Sequence, residues 1–318
     1  MENDKQRVPL VSVLMITYNH EKYIKQALDG ILTQKVNFDY EIIIGEDCSK
    51  DKTRIIIEEY KKKFPKKIKL ILYNQNVGIN NNLNKVISEA RGKYIATCEG
   101  DDYWINPMKL QKQVEFLEKN SEFVGTAHKF ICVDEKNNTL KIEYRGTYTT
   151  KEIYTLQDAI NWFMPGQTAT LVYRNIFIEN PLDWNSFIEC DVIGDRKIAF
   201  YLSLYGDFYC FKEIMSHYRV VTTQGDSWSA QSHGKNLNLI HYDYFTELAN
   251  MAKKIKNIDI DFKEQYLNCG YLSFRKFFWQ PTKENFRIFK EIIKKYDNSF
   301  EMGSFIMKKI FKKYSNKS

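Results

Sequence analysis

Cys98 to Trp104 reads CEGDDYW and places Glu99, Asp101 and Asp102 directly behind the apolar run GKYIAT. Three carboxylates this close repel one another, and no basic residue stands in the loop to offset them. A divalent cation would. Hard oxygen donors suit Mg²⁺ or Mn²⁺, which bind one or two carboxylates together with substrate phosphates. Gly100 lets the chain turn tightly between the acids. A turn with its acids in water is the competing reading. In the second half, Asp195 of IGDRKIAFYLSLYG opens an apolar helix, where the helix N-terminus favours its charged form. A simple N-cap fits that position too.

Four strand–helix alternations precede and hold the acidic loop. VSVLMITY (11–18), YEIIIG (40–45), IKLILY (68–73) and KYIATC (93–98) are compact apolar runs, as buried strands require. Between them EKYIKQALDGIL (21–32), TRIIIEEYKKKF (53–64) and NNNLNKVISEA (80–90) carry helical spacing. Asn106-Pro107 supplies an N-cap and an N1 proline for a fourth helix, to about Asn120. The alternation predicts an α/β fold, a parallel sheet covered on both faces, with ligands beyond the carboxyl ends of its strands. Polar residues collect at those ends: Thr17, Tyr18 and Asn19, then Glu46 and Asp47, then Asn76, then the acidic cluster.

After residue 120 the alternation stops. FVGTAHKFICV, TATLVYR, FYCFKE and SHYRVV read as short strands, LQDAINWF and RKIAFYLSLYG as helical, and 236–318 as mostly helical. Residues 251–318 hold 16 Lys and Arg against 7 Asp and Glu, whereas the whole chain of 318 residues carries only +7. That asymmetry suggests an anionic neighbour such as a membrane leaflet. In MGSFIMKKIFKKYSNKS, Phe305, Ile306, Ile310 and Phe311 beside Lys308, Lys309, Lys312 and Lys313 could lie on a membrane, or could form a helix docked on the body. No run approaches a membrane span and the N-terminus has no apolar leader, so a cytoplasmic protein is expected, with peripheral membrane association as an option. The six cysteines are scattered and read as reduced thiols; nucleic acid is not an expected partner.

The segments VSVLMITYNHEKYIKQAL, EIIIGEDCSKDKT, NVGI, ARGKYIATCEGDDYW and NPMKLQKQVEFLE, in that order over about residues 10–120, resemble the family 2 glycosyltransferases. These are inverting enzymes of the GT-A fold, and bacterial makers of capsule, O-antigen and other surface glycans are the nearest in character. A weaker resemblance runs on through IGDRKIAFYLSLYG and HYRVVTTQGDSWS to about residue 229. It implies a GT-A domain over 1–229, with a Rossmann-like nucleotide-binding half over about 1–105 and an acceptor half over 106–229. A basic helical region follows over 230–318.

The resemblance also assigns roles. Thr17, Tyr18 and Glu21 line the nucleotide base and ribose; Asp47 accepts the uracil N3–H; Asn76, Gly78 and Asn84 line the same pocket. CEGDDYW matches the DxD-type element. Asp101 and Asp102 are expected to hold Mn²⁺ or Mg²⁺ and the diphosphate, ahead of Glu99, whose arm is one methylene longer than the family's usual Asp. Asp195 is the expected general base, with Glu189 and Asp191 as rivals. Arg219 is expected on the diphosphate, since a guanidinium pairs bidentately with phosphate. Trp104, Tyr103, Trp228 and, less directly, Asp191 are candidates for donor or acceptor sugar. Where relatives often carry a His, this chain has Val221, flanked by His217 and His233.

The function implied is metal-assisted transfer of a hexosyl or N-acetylhexosaminyl group from a nucleotide sugar, UDP-linked by preference, to a saccharide or lipid-linked acceptor. Two alternatives stay open. A different nucleotide-using Rossmann-like enzyme should show a Gly-rich loop after the first strand, where this chain has TYNHEKY. A non-catalytic relative should have lost Asp101 or Asp102, and both are present.

Overall fold

A computed structural model describes residues 8–142, 147–221 and 235–315. The four predicted strands form as β1 (Val11–Thr17), β2 (Tyr40–Glu46), β3 (Ile68–Leu72) and β4 (Tyr94–Thr97). They lie parallel in the order β3-β2-β1-β4. The connections are α1 (Ile24–Leu32), α2 (Thr53–Lys63) and α3 (Ile79–Ser88). Side chains alternate across a strand, so Val11, Val13 and Met15 share one face. There they join Ile24, Leu28 and Ile31 of α1 in one buried cluster. Each such side chain contributes about 1.5–3 kcal/mol on burial.

The second half extends this sheet. In chain order come β5 (Tyr103–Trp104), α4 (Lys109–Lys119), β6 (Phe123–Val133), β7 (Ile153–Tyr154), α5 (Leu156–Ile160), a 3-10 turn at Thr168–Thr170, β8 (Val172–Arg174), α6 (Ile176–Glu179), α7 (Asp183–Glu189), α8 (Gly194–Ser203) and β9 (Asp207–Arg219). The sheet continues β4-β8-β6-β9-β5, with β7 also on β9. β8 runs antiparallel to β4, so the sheet is mixed beyond it. FYCFKE and SHYRVV, two strands by sequence, are one strand, β9, whose irregular register against β6 is taken up by shifts at 123–125 and 128–130. The fourth helix starts at Lys109 rather than Pro107. Asn106 Oδ1 accepts the Met108 N–H at 2.8 Å, closing a turn ahead of it.

The described residues divide into two compact units. The first holds 8–188 and 193–221; the second holds 189–192 and 235–315. The short piece 189–192 thus belongs with the helices, where sequence alone put it in the first part. The second unit consists of α9 (Asn238–Lys256), α10 (Lys263–Trp279), α11 (Lys283–Lys295) and α12 (Ser299–Ser315). Phe245, Leu248, Leu267, Ile292, Met302 and Ile306 are buried. Of the apolar residues singled out in the last segment, Ile306 packs inward, Phe305 and Ile310 are half-buried, and Phe311 is 65% exposed. No helix among the described residues is long and apolar enough to cross a membrane.

Candidate active site

The loops after β1 and β2 are laced together. The Asn19 N–H donates to Ser49 Oγ (3.0 Å), the His20 N–H to Thr53 Oγ1 (2.8 Å) and the Glu21 N–H to Asp51 Oδ2 (3.0 Å). Glu21 in turn accepts the Lys52 N–H at 2.9 Å. Thr17 is buried with Oγ1 3.2 Å from His20 Nδ1, and Tyr18 is half-buried. Asp47 is only 4% exposed. Its Oδ1 accepts the Val77 N–H at 2.6 Å and its Oδ2 the Gly78 N–H at 3.0 Å, which ties down the loop entering α3. Gly78 has φ +84°, which favours glycine, and its α-carbon faces open space. Asn76 is exposed and donates to the Asp47 carbonyl at 3.3 Å. Asn84 sits further along α3, with a buried Oδ1 that has no partner among the described residues.

The acidic loop joins β4 to β5. One carboxylate oxygen from each of Glu99, Asp101 and Asp102 lies within 4.8 Å of the others. Their roles separate by exposure. Asp102 is 1% exposed, with Oδ1 accepting the Arg219 N–H (2.8 Å) and Oδ2 accepting from Gln167 Nε2 (2.5 Å). It anchors the loop from behind. Asp101 and Glu99 are half-buried, and Asp101 Oδ2 lies 3.7 Å from His20 Nε2. Burial, then the charges of Asp101 and Asp195, push the Glu99 carboxyl up to about 8. The sequence ranks Asp101 and Asp102 above Glu99; in the fold each Asp102 oxygen already accepts one hydrogen bond, Glu99 and Asp101 are the more exposed, and all three present an oxygen to the cluster. Gly100 earns its place by close approach, since a Cβ there would stand 2.6 Å from Thr17 Oγ1 and 2.8 Å from His20 Nδ1.

Arg219, expected on the diphosphate, is tied into the fold. It is 2% exposed, and its guanidinium donates to the Asp101 carbonyl (2.9 Å), the Asp134 carbonyl (3.0 Å) and Gln26 Oε1 (2.9 Å), with the Tyr23 ring 4.4 Å away. Through these contacts it braces the acidic loop. Trp104 and Tyr103 are core residues, 3% and 8% exposed. Trp104 Nε1 donates to the Ala169 carbonyl at 2.9 Å, and the Tyr103 hydroxyl is 2.7 Å from His217 Nδ1, so neither ring is free to stack on a sugar and His217 is held in the same pair.

Asp195 lies in the first turn of α8, its Oδ1 accepting the Arg196 N–H at 2.7 Å. Burial raises its carboxyl above the ordinary range, against the lowering influence of Arg196. The helix N-terminus is expected to favour its charged form; desolvation outweighs that effect on the pKa. A base with a pKa moved towards neutrality takes a proton more readily from a substrate hydroxyl. Its charge is among the causes that raise the Glu99 pKa. The rivals go elsewhere: Glu189 pairs with Lys254 at 2.9 Å and Asp191 is exposed, both in the helical unit. Val221 is half-buried, while Trp228 and His233 lie outside the described residues.

Sequence reasoning missed Gln167 and His20. Gln167 sits in PGQTAT, a turn-rich stretch with no local mark of its partnership with a loop 65 residues earlier. His20 was visible in TYNHEKY, but nothing local pointed it at Asp101.

The family model described as Glycosyl transferase family 2 matches residues 12–180. An uncharacterized protein of Mycobacterium tuberculosis is 46% identical over 118 residues, 37% of this chain and 34% of that protein, so the match spans about a third of the relative's length. A Bacillus subtilis protein, "Putative teichuronic acid biosynthesis glycosyltransferase TuaG", is 35% identical over 127 residues, 40% of this chain and 49% of its own. Among solved structures, Staphylococcus aureus TarS 1–349 in complex with UDP-GlcNAc superposes with a TM-score of 0.64 at 18% identity, covering 89% of this chain and 79% of TarS. At that identity the likeness is one of fold.

Proposed function

The chain belongs to glycosyl transferase family 2, and from that premise we propose that it moves a hexosyl or N-acetylhexosaminyl group from a UDP-sugar, with inversion, to a saccharide or lipid-linked saccharide of a bacterial surface polysaccharide. The observation that carries this reading is the cluster of Glu99, Asp101 and Asp102 carboxylates past the end of β4, with the charge of Asp195 from a distant segment acting on Glu99 and Asp47 securing the loop entering α3. UDP-GlcNAc in TarS supports the donor class, and the name of TuaG supports the acceptor class.

Asp195 takes the proton of the acceptor hydroxyl as that oxygen bonds to the anomeric carbon; the bond from that carbon to the diphosphate oxygen breaks and the nucleoside diphosphate leaves. The three-carboxylate donor set is all hard oxygen and fits Mg²⁺ or Mn²⁺, with Asp101 and Glu99 as ligands and Asp102 behind them. Such an ion supplies charge neutralisation on the leaving diphosphate. Gln167 and Arg219 hold the loop in place through Asp102. Each Asp47 oxygen keeps a second lone pair beyond its loop contact, available to a base N–H. Thr17, Tyr18, Glu21, Asn76 and Gly78 shape the surrounding wall. The basic helical unit gives the enzyme an anionic membrane face as its neighbour.

The test is a panel of nucleotide sugars assayed with Mn²⁺ for nucleotide release. One or more UDP-sugars should turn over; release from none of the panel, with or without acceptor glycans, would overturn the reading.

A further inference from the structure

The helical unit exposes its largest aromatic group where α10 ends and α11 begins. Phe278 is 65% exposed, Trp279 69% and Phe286 50%. Each has an aromatic neighbour. Phe278 lies 5.7 Å from Trp279 and 6.3 Å from Phe274, and Phe277 lies 5.3 Å from Phe286. Water-facing rings of this size cost free energy in an isolated domain, and clustered ones mark a surface that something covers. The turn between the helices, Gln280-Pro281-Thr282, carries no charge, and the Thr282 hydroxyl caps α11 by accepting the Asn285 N–H at 3.1 Å. The turn is thus capped and uncharged.

Cations ring it. Residues 272–290 contain Arg275, Lys276, Lys283, Arg287 and Lys290 against a single acid, Glu284. On its flank Lys235, Arg275 and Lys276 line, with Leu272 and Trp279, a cavity of about 500 Å³. Exposed aromatic rings beside a cluster of basic side chains are complementary to one kind of surface, a bilayer with anionic headgroups. Aromatic rings settle at the boundary between acyl chains and headgroups, and basic side chains pair with lipid phosphate. α12 is the poorer candidate, because Met302 and Ile306 of its apolar stripe turn inward.

We infer that the α10–α11 tip docks the protein on an anionic membrane, with Phe278, Trp279 and Phe286 entering the interface and the cavity lined by Lys235, Arg275 and Lys276 receiving a lipid phosphate. This deepens the membrane part of the proposed function and moves it from the C-terminal segment to a defined site. It rests on that reading for its purpose, but not for its measurement.

The test is co-sedimentation of the full chain with phosphatidylglycerol vesicles and with phosphatidylcholine vesicles, alongside nucleotide-sugar hydrolysis in solution. The wild type should bind the anionic vesicles and leave the neutral ones. The double variant F278S/W279S should lose at least about tenfold in partition, and R275S or R287S about fivefold each at low salt. Hydrolysis should be unchanged in all of them. Equal binding of F278S/W279S and wild type would overturn the inference. So would loss of binding on F311S alone, which would return the contact to α12. A wild-type dimer that F278S/W279S converts to a monomer, without vesicle binding, would show that a second copy covers the tip. If hydrolysis is absent but vesicle binding follows this pattern, the catalytic reading fails and this one stands.

Discussion

Glu41 and Glu99 stand at opposite edges of the same parallel sheet and are treated in opposite ways. Glu41, where β2 begins, is 6% exposed and fully matched: the Ser12 hydroxyl donates to it at 2.8 Å and Arg91 Nη2 at 2.7 Å. The pairing also raises the Arg91 pKa. Glu99, just past the end of β4, has Asp101 and Asp102 beside it, and its pKa is driven up by burial and then by the charges of Asp101 and Asp195. Where the sheet begins, the chain supplies the counter-charge to its own acid. Where the sheet ends no counter-charge is seen on Glu99 among the described residues, although an unpaired buried charge is costly. That edge is the one proposed to meet substrate.

The comparison breaks most visibly in activity. Asp101→Ala should lower Mn²⁺-dependent turnover about 10⁴-fold, the loss of ~5 kcal/mol of charge stabilisation at the leaving group. Steady-state nucleotide release measures it; residual activity above a tenth of wild type would remove Asp101 from the site. Asp195→Asn should lower kcat about 10³-fold while the donor KM stays within about twofold, because the base acts on the acceptor. A variant that kept full transfer to acceptor would leave the base unassigned and return Asp195 to the role of an N-terminal helix residue.

A crossed pair sharpens the comparison. Glu41→Ala should destabilise the fold by about 1–3 kcal/mol in urea denaturation, since it strips a nearly buried hydroxyl and a half-exposed guanidinium of their partner. Its specific activity should stay close to wild type. Glu99→Gln should do the reverse, costing about tenfold or more in turnover while leaving stability equal or higher by up to ~1 kcal/mol, because it relieves repulsion among the acids. If both substitutions moved the same quantity, the two edges would not differ in kind.

The edge itself was legible in the sequence. Apolar runs of strand length alternated with helical spacing, and the polar residues behind each run marked the carboxyl ends before any coordinate was known. The acids were legible as a group because like charges in one loop demand an explanation. Their ranking was not. Whether Asp102 or Glu99 faces outward depends on Gln167 and on the Arg219 N–H, which lie 65 and 117 residues away and reach the loop only once β9 and the turn before β8 are in place. Arg219 misled for the same reason. A guanidinium suits phosphate in any sequence, but its nearest acceptors here are carbonyls of the folded chain. Trp104 looked like a sugar platform because aromatic residues beside acids often are; pairing of Tyr103 and Trp104 with β9 turns them into core.

The smallest effect is the most diagnostic, because it tests the unmatched charge without substrate. The Glu99 carboxyl titrates near 8 in the folded chain, against an ordinary value of 4.5. A raised acid pKa means that the folded chain holds a proton the unfolded chain has already released. Its stabilising contribution is therefore full below about pH 4.5 and lost as pH rises through about 8. In chelator, the urea stability of wild type minus that of Glu99→Gln should fall by about 1 kcal/mol or more between pH 5 and pH 8, with other titrating groups cancelling in the difference. Glu41→Gln should follow wild type in the same range. A flat difference for Glu99→Gln would mean that water already reaches and solvates this carboxylate. The sloping difference requires the opposite: the acidic loop is held shut around its own repulsion by Asp102, Gln167 and Arg219. In that case Mn²⁺ at pH 8 should raise the wild-type Tm, supplying at this edge the charge that Arg91 supplies at the other.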